Sequence, residues 1–265
     1  MLIDSHCHVM PDALALAIRR FFDDRMGWGT LAYDGVLLDD VARAQRDAGT
    51  DRFWALPYAH KAGVAAQLNE WIASEAAPLA GVVAAATFHP DDEDLAALAD
   101  RAFGDLGLRL AKLHCSVGKF DAGDPHLDPL WERAQERGVP IIVHVGREMS
   151  GHTYAPELAP VGRIAAAYPR LKLILAHCGS PGIDAALDLI ERHSALYGDL
   201  TSAAQWKFPL PIERLEALHE KILFGSDCPN TTVTITESMA WLRRQGLSPR
   251  ALQAILGENA ARLIP

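Results

Sequence analysis

The segment Ile3-Asp4-Ser5-His6-Cys7-His8 places two imidazoles two residues apart at the end of an apolar start. Side chains alternate across a strand, so His6 and His8 project from one face about 6 to 7 Å apart, within reach of one metal ion. Lys112, His144, His177 and Asp227 each stand at or near the C-terminal end of a later apolar run. A parallel (β/α) barrel collects its catalytic groups at that end of its strands. Imidazole nitrogen and carboxylate oxygen suit a borderline divalent ion, with zinc the first expectation, and a catalytic site leaves one position open for water or substrate. His6, His8, His144 and Asp227 would hold a single ion, with His177 beside the bound water and His177 and Asp227 as the catalytic proton carriers.

Lys112 shares a face with Leu110 and His114 in Leu108-Arg109-Leu110-Ala111-Lys112-Leu113-His114. A protonated lysine repels a cation. Lys112 therefore either binds a substrate carboxylate or an internal acid, or is carbamylated into an anionic ligand bridging two ions, with His144 and His177 on the second. Parity supports the set: Ile142 with His144, Leu173 and Leu175 with His177, and Leu223 and Gly225 with Asp227 each form an inward-facing series that ends in a polar residue. Such endings are costly in a core unless the polar groups find partners. Cys7, Cys115, Cys178 and Cys228 each follow a polar residue of the set (His6, His114, His177 and Asp227), and alternation turns the thiols away from the lumen. They read as small buried packing residues, and no CxxC spacing suggests a structural zinc knot.

The elements that must position these residues are short apolar runs alternating with amphipathic stretches. Eight strands are expected: Leu2–His8, Arg52–Pro57, Gly81–Phe88, Leu108–His114, Pro140–Val145, Lys172–His177, Leu196–Leu200 and Lys221–Ser226. Helical patterns between them include Leu127–Arg137, with Asp128-Pro129 as its N-terminal cap and Gly138 as its stop, and Ile183–His193. No linker or repeat interrupts the rhythm, so residues 1–265 read as one α/β (β/α)8 TIM-barrel domain. Arg25–Gly35 is the longest departure, a lid or a packed loop. With 49% apolar and 22% charged residues, the chain has the composition of a globular protein. A formal net charge of -9 argues against nucleic acid as a partner. With no long apolar run and no basic leader, the reading is a cytoplasmic protein that acts on a small molecule, not on a membrane, and is compatible with a homo-oligomer.

With these residues in view, the chain resembles the amidohydrolase superfamily, specifically its amidohydrolase-2 branch. The resemblance rests on His6-x-His8, Ala111-Lys112-Leu113-His114, Asp124-Pro125-His126-Leu127-Asp128-Pro129-Leu130, Val143-His144-Val145-Gly146, Leu175-Ala176-His177-Cys178-Gly179, Leu223-Phe224-Gly225-Ser226-Asp227-Cys228-Pro229 and Gly257-Glu258-Asn259-Ala260-Ala261-Arg262-Leu263. It implies a distorted TIM barrel with the first-strand histidines, His144 and Asp227 around a divalent metal and a catalytic part for His177. Other branches carry a carbamylated lysine at the position Lys112 matches, whereas mononuclear members of this branch do not. The branch contains hydrolases and non-oxidative decarboxylases of aromatic or unsaturated acids.

His114, Arg147, His152 and Tyr154 are the candidates for contact with a substrate, an acidic one where cations point inward; Tyr58, His60, His89, Lys119, Trp206 and Lys207 also follow strand ends. The first functional expectation is hydrolysis of an amide, lactone or related carbonyl compound by metal-activated water. Decarboxylation uses the same ligands and is the alternative. A metal-binding barrel without turnover is the third reading.

Overall fold

The computed structural model describes residues 1–25, 30–144, 158–179 and 182–265. Among them, eight strands run in chain order around one parallel sheet: β1 (Ile3–Cys7), β2 (Arg52–Ala55), β3 (Val82–Thr87), β4 (Leu110–Leu113), β5 (Ile141–Val143), β6 (Leu173–Leu175), β7 (Leu196–Asp199) and β8 (Ile222–Leu223). Each falls within an expected strand. Backbone hydrogen bonds from Ser5 N to Phe224 O, Asp227 N to His6 O and His8 N to Cys228 O close β8 onto β1 at 2.7–2.9 Å. The ladder therefore has no free edge, and the last of these bonds join the segments that carry His6, His8 and Asp227.

Two apolar layers follow from strand alternation. Inside the barrel, Ile3, Trp54, Leu56, Ala85, Leu110, Ile142, Ile174, Ala176 and Leu223 form one buried cluster, joined by Ala260 and Leu263 of the C-terminal helix Asn259–Leu263 and by Ile264 just after it. Outside it, Phe53, Ala55, Ala111, Leu113, Ile141, Val143, Leu173 and Leu175 pack against helices, among them α1 (Leu38–Asp47), α2 (Asp128–Arg137) and α3 (Ile183–Arg192). All four cysteines are free and belong to this outer layer.

Gly138 ends α2 in the left-handed region at φ 66°. The N-terminal cap differs from expectation: Asp128 lies inside α2 at φ −53°, while Asp124 caps the short turn Pro125–Leu127 by accepting from His126 N at 3.0 Å. The sixth strand also differs. Leu173 and Leu175 face the helices, and Ile174 and Ala176 fill the lumen, so alternation alone would turn His177 outward. The chain leaves the strand at Ala176, and His177 and Cys178 adopt left-handed backbone, at φ 58° and 44°, which restores His177 to the lumen end.

Candidate metal centre

Apolar residues plug the lower lumen, so the next inward positions at the C-terminal strand ends form a polar chamber. His6, His8 and Asp227 each offer one donor atom, all within 4.8 Å of one another. His8 Nε2 lies 3.2 Å and His6 Nε2 3.9 Å from Asp227 Oδ1. The rings of His6 and His177 are 5.3 Å apart, and those of His144 and His177 4.9 Å. Asp227 sits at φ 67°, and with His177, Cys178 and Ser202 it makes a set of non-glycine residues with positive φ at the ends of β6, β7 and β8. Such backbone is costly and clusters where geometry is under functional constraint.

Hydrogen bonds fix what each imidazole presents. His6 Nδ1 lies 2.9 Å from Asp199 Oδ2, and His8 Nδ1 lies 3.0 Å from the Leu56 carbonyl. The carbonyl can only accept, as can the ionised Asp199, so both Nδ1 atoms carry protons and the Nε2 atoms are the ring nitrogens turned toward Asp227. Two imidazole nitrogens and a carboxylate oxygen within 4.8 Å of one another are a donor set that suits a divalent cation. His144 adds a second sign. It is buried, and neither of its ring nitrogens has a hydrogen-bond partner among the described residues, an arrangement that costs about 1–3 kcal/mol unless a ligand supplies the missing interaction. The donor set therefore fits a divalent metal ion.

Electrostatics agree. Burial pulls the His6 imidazole down to about 3, with the Lys112 charge adding to the fall, so His6 is neutral and free to bind metal. Burial likewise depresses His144 and His177, the latter against the opposing charges of Asp227 and Asp199. Burial would raise the Asp227 carboxyl, yet the hydrogen bond and charge of His8 hold it well below the usual carboxylate range. Its other oxygen accepts the Ser202 hydroxyl at 3.0 Å.

Lys112 points into this chamber, fully buried, with Nζ 3.1 Å from His6 Nε2. Burial lowers the amine to about 8 against the pull of Asp199 and Asp227. His114 is stacked on His144 at 4.0 Å and 14°, and Tyr58 meets His8 edge-on at 5.1 Å.

The structure thus gathers His6, His8, Lys112, His114, His144, His177 and Asp227. Arg147, His152 and Tyr154 lie outside the described residues. Elsewhere, His89 is committed to structure, its Nε2 donating to Gly118 O at 3.0 Å, while His60 and Lys207 are exposed. Asp199 went unrecognised in the sequence. It is fully buried at the end of β7 and, besides His6, accepts the backbone N–H groups of His177 at 2.9 Å and Thr201 at 3.0 Å. Its signal was a carboxylate inside an expected strand, which needs buried partners.

A second carboxylate holds the backbone behind the ligands. Asp4 accepts from Gln45 Nε2 at 2.6 Å, Ser226 Oγ at 2.5 Å, Ser226 N at 3.0 Å and His6 N at 3.2 Å. It ties β1 and α1 to the segment that leads into Asp227.

A family model described as amidohydrolase matches residues 3–265. No curated protein matches the chain in sequence. Among solved structures, an uncharacterised TIM-barrel protein from Bordetella bronchiseptica superposes with TM-score 0.76 at 20% identity, covering 99% of this chain and 97% of the other. A dihydroxybenzoic acid decarboxylase from Polaromonas sp. JS666, with bound manganese and the inhibitor 2-nitroresorcinol, gives TM-score 0.76 at 18% identity over 99% and 96%. The 5-carboxyvanillate decarboxylase from Sphingomonas paucimobilis gives 0.68 at 15% over 99% and 98%.

Proposed function

We propose that this chain, which belongs to the amidohydrolase family, is a metal-dependent non-oxidative decarboxylase of a small aromatic or unsaturated carboxylic acid. The observation that carries this reading is Lys112, an amine buried in the lumen 3.1 Å from His6 Nε2. It is the cationic partner that a substrate carboxylate needs. The walls support a flat substrate, because Tyr58, His8, His114, His144 and His177 contribute ring after ring at centroid spacings of 4.0–6.3 Å. Decarboxylases among the structural neighbours bring this reaction ahead of hydrolysis, the first expectation from sequence.

His6 Nε2, His8 Nε2, His144 and Asp227 Oδ1 are the residues that would hold the ion. A divalent cation there supplies Lewis-acid polarisation of the substrate's oxygens. The donors suit zinc, and manganese accompanies three of the neighbours.

The chain's own residues do the remaining work. Lys112 pairs with and orients the carboxylate. As the bond to carbon dioxide breaks, its electron pair stays on the substrate carbon, which must take up a proton. His177 is the carrier, since its Nδ1 lies 3.4 Å from Thr201 O and its Nε2 is left for substrate. Burial lowers its pKa, and the charges of Asp227 and Asp199 offset only part of that fall. Asp227, held ionised, is the poorer acid.

Hydrolysis stands as the second reading, carried by the same nearness of a neutral His177 to His6 and His144, which would let it accept a proton from water. Purified protein loaded with zinc or manganese and offered hydroxybenzoates, lactones and amides distinguishes the two. Chelator-sensitive release of carbon dioxide is the expected result. Acid release from lactones or amides without carbon dioxide from any acid would replace the proposal with hydrolysis.

A further inference from the structure

The helix Asp12–Arg25, which follows β1, is apolar on two sides. Its inner side, with Leu14, Ala15 and Ile18, shares a small cluster with Tyr58, separate from both barrel layers. At 3.6 residues per turn, its other side carries Ala13, Leu16, Ala17, Arg20, Phe21 and Asp24, all of them exposed. Among the described residues three large apolar side chains are exposed, and two of them, Leu16 at 45% and Phe21 at 42%, flank this one stripe. A helix that is hydrophobic on both sides is suited to being covered on both. The exposed charges indicate the occupant. Asp12, Arg20 and Asp24 have no hydrogen-bond or ion-pair partner among the described residues, whereas the neighbouring Arg19 is paired with Asp23 at 2.9 Å. Acid, apolar residue and base follow at four-residue steps as Asp12, Leu16 and Arg20, an order that complements its own reverse.

We propose that this face docks a second copy of the chain, helix against antiparallel helix, with the two-fold axis at Leu16. Leu16 then meets the partner's Leu16, and each Arg20 stands opposite the partner's Asp12. Each Phe21 lies less than one turn from the partner's Ala13, whose small side chain leaves room for the ring. Parallel pairing would instead set Asp12 on Asp12 and Arg20 on Arg20. A helix of 14 residues is about 21 Å long, so its face falls short of the about 800 Å² per partner of a standard interface, and the pair is reversible, with Kd in the micromolar range. The helix also connects this face to the metal chamber, because its inner cluster includes Tyr58, whose ring meets that of His8.

Sedimentation velocity of the parent from about 1 to 500 µM should show a monomer–dimer equilibrium across that range. Leu16→Glu and Phe21→Glu, both at exposed positions, should each weaken it about tenfold or more while circular dichroism and thermal unfolding stay those of the parent. Arg20→Glu and Asp12→Arg should each weaken it too, by setting like charges face to face. An equimolar mixture of those two variants restores both ion pairs in the mixed dimer, so it should associate more tightly than either variant alone. A parent that stays monomeric throughout overturns the proposal and leaves the face to a different protein. A dimer that Leu16→Glu and Phe21→Glu leave intact overturns it as well, and charge variants that gain nothing on mixing overturn the antiparallel pairing.

Discussion

Replacing Asp199 by asparagine should invert the proton on His6. In the parent, Asp199 Oδ2 accepts from His6 Nδ1 while Oδ1 accepts the backbone N–H groups of His177 and Thr201. An amide has one oxygen. Placing it where Oδ1 stands keeps both backbone donors satisfied and turns the NH2 group toward His6 Nδ1, which must then become an acceptor and move its proton to Nε2. That proton would occupy the lone pair that faces His8 and Asp227. Flipping the amide instead leaves two buried backbone donors against an NH2. Either outcome forfeits a charge-assisted hydrogen bond of about 1.5–3 kcal/mol. Partners of this kind typically govern metal affinity by about 10–100-fold, which is about 1.4–2.8 kcal/mol. Competition titration of zinc or manganese against a chromophoric chelator should show Asp199→Asn weakened within that range. Binding within threefold of the parent, by folded protein, would refute the tautomer argument.

Three further outcomes are expected. His177→Asn should keep metal content close to the parent while losing about 100-fold or more in turnover, the scale of a proton carrier; unchanged turnover would remove His177 from the chemistry. Gly225→Ala should destabilise by about 1–3 kcal/mol and weaken metal binding, because its new Cβ would lie 2.6 Å from His6 Cβ and push against Thr201; denaturant unfolding with and without metal measures both. In metal-free protein, His6, His114 and His144 have folded values below their unfolded 6.5, so their contribution is complete above that pH and is lost as pH falls. Asp4, raised by burial to about 6, runs the other way and offsets one of them between pH 6 and 4. Stability should fall on acidification from pH 6.5 at about 1.4 kcal/mol per pH unit for each net proton taken up on unfolding, and urea titrations at pH 7 and 5.5 giving equal stability would contradict this.

Local signals were strong where one strand carries its own message. His6 and His8 share a face by alternation, and Lys112 follows Leu110 into the lumen as the apolar run of β4 implies. All eight strands were legible because turns and apolar runs recur at barrel spacing. His177 was found for a wrong reason: Leu173 and Leu175 face the helices, and the residue reaches the chamber through a left-handed kink that no periodicity encodes. Asp199 was missed because its meaning lies in pairing with His6, 193 positions away. Long-range partners of that kind arise from barrel closure, not from any short stretch of chain. The same closure gives Asp4 its role, since Ser226 comes within reach only when β8 returns to β1.

The central claim is that His6, His8, His144 and Asp227 share one divalent cation. Anomalous diffraction from crystals grown with manganese or zinc, collected at the metal's absorption edge, tests it most directly. The account predicts a peak bonded to His6 Nε2, His8 Nε2, a ring nitrogen of His144 and Asp227. A peak that leaves out Asp227 or His6, or metal bound only at the surface, would contradict it.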